Sequence, residues 1–220
     1  LKKLLANVDK NKIKGISFGG QMHGLVMLDN ENKVIRPAIL WNDGRCQEET
    51  DYLNNIIGKE KLVDCTGNIA FAGFTAPKIL WVKKHEIENF NKIKMVLLPK
   101  DYLAFCFSGV FSTDYSDASG TLYLDVKNKC WSKEMCEIIG IKEEQLPTLY
   151  ESYELVGNIL PELAEELDVS TIDIEDFSDD LLAEFSVMYV TEQDKKAEAK
   201  DKEKQKEEQT QVKDKNGAGV

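Results

Sequence analysis

Residues 191–220 carry eight lysines, eight acidic side chains and no aromatic residue. A stretch of that kind has too little apolar surface to offset the entropy lost on ordering it. It reads as a disordered, charged tail or a loose single helix. The core must therefore be built upstream. Residues 171–180 are acidic and residues 181–190 hold the last apolar cluster, so the composition changes at about Val169. The expected division is a folded body over 1–169, an acidic segment over 170–190, and the tail over 191–220.

Within the body, short apolar runs alternate with helical spacing. Residues 1–9 read as the last turns of a helix. Residues 12–18, with two isoleucines, read as a strand that stops at Gly19-Gly20. Residues 25–29 form a second strand; a polar turn and a return from Val34 follow, limited by Pro37. Tyr52, Leu53, Ile56 and Ile57 are spaced for one helix over 47–57, with another over 60–65. Pro77 suits the first turn of a third, over 78–85. Residues 93–98 read as a buried strand. Asp101 caps a helix that Gly109 ends. Extended runs at 111–116 and 121–125 flank a loop at 117–120, and helices are expected over 131–139 and 160–167. Strands alternating with helices place the chain in the α/β class.

The formal net charge of −11 argues against nucleic acid as a partner, because an acidic surface repels phosphate backbones. No stretch approaches the roughly 20 apolar residues of a membrane span, and no signal-peptide run appears, so no membrane partner is expected. The five cysteines form no CxxC pair and read as free thiols in a reducing, cytoplasmic setting. There is no GxxxxGK[ST], HExxH or GxSxG. With two histidines, His23 and His85, no histidine-based metal site is expected.

Four clusters carry chemistry. In Ser17-Phe18-Gly19-Gly20-Gln21-Met22-His23-Gly24, a strand end presents an amide, a thioether and an imidazole, where open α/β sheets bind ligands. Gln21 and His23 offer donors and acceptors suited to sugar hydroxyls; a strand-end turn with a locally bonded histidine fits the same residues. In Trp41-Asn42-Asp43-Gly44-Arg45, a flat ring beside an amide, a carboxylate and a guanidinium suits a polyol. A capped helix start, with Asp43 as the cap and Trp41 in the core, fits equally. The hydroxyl-rich stretch 113–121 reads first as a turn built on its own side-chain bonds, and Lys100-Asp101-Tyr102 first as a helix cap.

Taken in order, Gly-Gly-Gln-Met-His-Gly (19–24), Trp-Asn-Asp-Gly-Arg (41–45) and Thr-Asp-Tyr-Ser-Asp-Ala-Ser-Gly-Thr (113–121) resemble the FGGY family of carbohydrate kinases, and within it the xylulose kinases most. The segment 73–85 is similar to the family signature, with Lys78 followed three residues later by Trp81. Those two share one helix face, which suits packing rather than catalysis. The resemblance implies a ribonuclease-H-like (actin-like ATPase) lobe that binds the sugar. It implies transfer of the ATP γ-phosphoryl group to a ketopentose hydroxyl, D-xylulose giving D-xylulose 5-phosphate. It implies Met22 and His23 as sugar contacts, with Gln21, Trp41, Asn42 and Asp43 beside them, ATP and Mg2+ as cofactors of the parent enzyme, and a homodimer as its assembly.

The sequence departs from the family in three places. No glycine-rich phosphate turn precedes Lys12. No Gly-Gly-Gly-Asp motif follows Val169, where Ser170 leads into Thr171-Ile172-Asp173-Ile174-Glu175-Asp176. No second lobe follows either. The expectation is an incomplete N-terminal lobe lacking its start and its ATP- and Mg2+-binding elements. No residue is assigned as catalytic base, since Asp173, Asp176 and Asp179 lack the strand-end context. The alternative is a catalytically dead remnant that binds sugar or a partner chain.

Overall fold

Val26, Met27 and Leu28 are all buried, and so are Met95, Val96 and Leu97 opposite them. A strand with both faces buried is a continuous apolar run, and these two runs make the first sheet. The computed structural model describes residues 2–13 and 15–169. The acidic segment 170–190 and the charged tail 191–220 lie outside the described residues.

In chain order the elements are α1 (Lys2–Leu5), β1 (Val26–Leu28), α2 (Gln47–Tyr52), a π-helical turn (Leu53–Gly58), α3 (Lys59–Thr66), α4 (Thr75–His85), α5 (Ile87–Phe90), β2 (Met95–Leu97), α6 (Pro99–Ser108), β3 (Ser112–Asp114), α7 (Tyr115–Ser119), β4 (Leu124–Asp125), β5 (Cys130–Trp131), α8 (Lys133–Ile139), β6 (Thr148–Tyr150) and α9 (Pro161–Leu167). β1 and β2 pair antiparallel, with Met27 opposite Val96. β3 and β6 pair parallel, with Thr113 opposite Leu149. β4 and β5 form an antiparallel ribbon. Strands and helices thus mix along the described chain, as the α/β reading expected.

The main core gathers Leu25, Met27 and Ile39 with Leu53, Leu62, Ile79, Val82, Leu122 and Ile139. A smaller cluster of Val26, Leu28, Met95 and Leu97 packs beneath Tyr102, Phe105 and Phe111. Each fully buried aliphatic side chain contributes about 1.5–3 kcal/mol by leaving water. α6 opens on Pro99 and ends at Gly109, whose φ of +71° favours a residue without a Cβ.

Two local expectations are corrected. The described residues of 12–18 form no strand: a 3-10 turn spans Lys10–Lys12, and residues 15–21 carry no regular structure. A strand is stabilised by a neighbour's ladder, and no described residue pairs with that run, so no open sheet edge forms there either. The expected loop at 117–120 is mostly helical. Asp114 closes the strand β3 and caps α7, its side chain accepting from the Asp117 N–H at 3.0 Å.

Candidate functional site

The segment before β1 is held from three sides. From below, the start of α6 leaves it almost no room. A Cβ on Gly24 would lie 2.6 Å from Pro99 Cγ, and one on Gly20 would lie 2.9 Å from Lys100 Cβ. Within it, the Gly24 N–H donates to the Met22 carbonyl at 2.9 Å, which makes a tight turn at His23. His23 has φ +67°, a left-handed conformation uncommon for a residue with a side chain.

The surrounding contacts hold that conformation. The Thr75 hydroxyl donates to the His23 carbonyl at 3.2 Å. The ring packs on Phe74 with centroids 4.8 Å apart. His23 Nδ1 lies 2.8 Å from the Gly120 carbonyl oxygen. The Ala76 N–H, in the first turn of α4, donates to the Thr121 carbonyl at 2.9 Å. One helix start therefore ties the histidine segment to the 113–121 motif, and its orphan N–H group finds a partner. Met22 is 37% exposed, and Gln21 is exposed as well.

The Trp41 segment joins through Gly73: the space for a Gly73 Cβ ends 3.2 Å away at the Trp41 carbonyl oxygen. Phe74, next in the chain, is the residue that packs on His23. Trp41 is 55% exposed and Asn42 is exposed, so Trp41 is not core. Asp43 does not cap α2, whose first turn follows Cys46. Its carboxylate instead receives Arg45 in a fork, Nε at 2.9 Å and Nη2 at 2.7 Å. That hydrogen-bonded pairing holds the Asp43 carboxyl below its ordinary range. The Arg45 guanidinium lies over the Trp81 ring, 4.9 Å from its centroid, and His85 stacks on the same indole at 5.0 Å.

Lys78 is buried and donates to the carbonyls of Ala72, Gly73 and Phe74, which fixes the turn carrying Phe74. Burial pushes its ammonium down to about 8. Lys78 and Trp81 thus pack and brace, as their shared helix face suggested.

Sequence reasoning missed the function of Lys100. Its ammonium, 13% exposed, lies 2.8 Å from Asp101, 2.7 Å from Asp114 and 3.3 Å from Asp117. Burial opposes this charge, but the carboxylates outweigh it and raise the lysine above its ordinary value. Lys100 so links the start of α6, behind Gly20, to the start of α7, which leads to Gly120. Thr75, Phe74 and the Gly120 carbonyl were also missed. The signal for Lys100 was an acid-rich loop with no cation of its own.

Residues 1–185 match the model of the N-terminal domain of the FGGY family of carbohydrate kinases. The chain belongs to the FGGY family of carbohydrate kinases. It is 45% identical over 162 residues to a xylulose kinase of Escherichia coli K12, covering 74% of this chain and 33% of that protein. It is 48% identical over 160 residues to a xylulose kinase of Bacillus subtilis, covering 73% and 32%. Among solved structures, a xyloylose kinase from Brucella ovis superposes with a TM-score of 0.69 at 43% identity, over 72% of this chain and 32% of that one. A gluconate kinase from Lactobacillus acidophilus superposes with a TM-score of 0.73 at 27% identity, over 77% and 34%. The fold is that of a sugar kinase lobe of the actin-like class. The chain spans about a third of the length of the relatives it matches. No described helix is long and apolar enough to cross a membrane, and none of the five cysteines is in a disulfide.

Proposed function

We propose that this chain forms the sugar-binding side of an enzyme that transfers the γ-phosphoryl group of ATP to a hydroxyl of a ketopentose, D-xylulose becoming D-xylulose 5-phosphate. The observation that carries the reading is the forced geometry of His23. A left-handed backbone, an aromatic neighbour and a bond from Nδ1 fix the imidazole, while Nε2 makes no hydrogen bond to any described residue. Strain of this kind persists where the surroundings over-determine it, and it clusters at ligand sites.

In this reading the His23 imidazole bonds a sugar hydroxyl, Met22 gives an apolar contact, and Gln21 and Asn42 add amide partners. Trp41 covers a C–H face of the sugar. Asp43 keeps acceptor capacity beyond its Arg45 fork. ATP and Mg2+, when bound, supply the phosphoryl group and the charge neutralisation of the transfer. The described residues do not fit a metal site: no group of three or more His, Cys, Asp or Glu side chains is arranged to hold an ion. The carboxylates of Asp101, Asp114 and Asp117 are already paired with the Lys100 ammonium. In this reading ATP and Mg2+ belong to the parent enzyme. In the same reading the body of the family lobe fills 1–169, the family match runs on to residue 185 within the acidic segment 170–190, and 191–220 is the charged tail; the setting is the cytoplasm and the parent assembly a homodimer. The 220-residue chain by itself is expected to bind sugar without turning over ATP, as a sugar-binding remnant would.

Titration calorimetry of the full chain with D-xylulose tests the seat. Saturable binding that His23→Ala removes is expected, and no binding by the wild type would refute it. A coupled ADP-release assay tests the rest. Sugar-dependent ADP release that disappears in His23→Ala would show that this chain is itself a kinase.

A further inference from the structure

The bond between His23 and Gly120 fixes more than the position of the ring. A carbonyl oxygen can only accept a hydrogen bond, so at 2.8 Å the proton must sit on Nδ1. In the neutral imidazole this leaves Nε2 with a bare lone pair, able to accept and unable to donate.

Gly120 is shaped for the role. A Cβ there would lie 2.5 Å from His23 Nδ1, well inside any tolerable contact, so only glycine lets the ring reach the carbonyl. Its own backbone is pinned as well: the Gly120 N–H donates to the Asp117 carbonyl at 3.1 Å, and the Thr121 hydroxyl donates to the Ala118 carbonyl at 2.6 Å.

We propose that Gly120 is a positioning residue for sugar recognition: its carbonyl holds the single proton of the neutral His23 ring on Nδ1, so that Nε2 of that ring meets the ligand as an acceptor and selects a group that donates. A hydroxyl satisfies that demand. A carbonyl, an ether or a carboxylate at the same place puts two acceptors face to face and is rejected. The sugar part of this statement rests on the function proposed above; the tautomer lock does not.

The test uses the 15N-labelled full chain at about pH 8, where an ordinary imidazole is neutral. Long-range 1H–15N correlation separates the two tautomers, and a His85→Gln sample assigns the signals, since the chain has two histidines. For the wild type, His23 is expected to show a protonated, pyrrole-type Nδ1 and a pyridine-type Nε2. In Gly120→Ala that pattern should be lost, and D-xylulose binding should weaken about tenfold, the worth of one misplaced hydrogen bond. A wild-type His23 protonated on Nε2, or an unchanged pattern in Gly120→Ala, overturns the proposal. If Gly120→Ala does not fold, the wild-type spectrum still decides. A wild type that shows the Nδ1–H tautomer and binds no sugar leaves the lock standing and sinks the sugar-kinase reading instead.

Discussion

The Lys100 ammonium lies 2.7 Å from the Asp114 carboxylate, joining the helix start behind Gly20 to the helix that leads to Gly120. Removing one partner of a buried ion cluster leaves the other charges uncompensated. Lys100→Met should therefore lower stability by about 3–5 kcal/mol, read as a shift in the urea midpoint. The His23–Gly120 bond should loosen with it, because both of its anchors lose their tie. Stability within about 0.5 kcal/mol of the wild type would show that the three aspartates do not depend on this cation.

Asp114 also sets an acid limit. Burial alone would raise its carboxyl, but hydrogen bonds from Lys100 and from the Asp117 N–H outweigh that and hold it below the ordinary range. A group with a depressed folded value stabilises fully above its unfolded value, about 4 for an aspartate, and loses that stabilisation as pH falls through the folded value. Stability should drop on acidification below about pH 4, and Asp114→Asn should flatten part of that drop. An equal slope in both proteins would remove Asp114 from the account.

Lys78 works in the opposite sense at high pH. Its folded value is near 8 and an unfolded lysine's is 10.5, because burial disfavours the ammonium. The unfolded chain therefore binds the extra proton between these values, so stability should rise as pH goes from 8 towards 10.5. The rise is on the order of 3 kcal/mol from this group alone. Lys78→Met should abolish that contribution. Chemical denaturation at several alkaline pH values measures it, and a wild-type curve that is flat or falling relative to the variant would contradict it.

Trp41 separates binding from folding. More than half exposed, it adds little to the core. Trp41→Ala should leave the melting free energy within about 0.5 kcal/mol of the wild type. D-xylulose affinity, measured by calorimetry, should fall about tenfold, the loss of one ring face against the sugar. Unaltered affinity would take Trp41 out of the seat.

Much of the frame was readable from residue type and spacing. The buried run at 93–98 and the helix stop at Gly109 carry their causes in their own side chains. The run at 12–18 misled because alternation describes a strand only where another strand is available to pair with it. α7 was missed because five residues are too few for a helical period to register, and the Asp114 cap that starts it looks the same in a turn. Leu122, buried at φ +69°, could not be anticipated, since a leucine in that conformation is set by its surroundings. In the proposed sugar seat, Gln21, Met22 and His23 are candidates on the chemistry of their side chains. The Gly120 carbonyl has no side chain to announce it, and the three aspartates on Lys100 converge only after folding.

β1 serves two cores at once, Met27 entering the main one while Val26 and Leu28 enter the smaller. Deleting or inserting one residue between His23 and Val26 would exchange those two sets, putting methionine where valine and leucine fit and the reverse. The chain length between the imidazole and the strand is therefore not free to drift. The connector is fixed in residue type as well as in length, since Gly24 has no room for a Cβ beside Pro99 and Leu25 is buried in the main core.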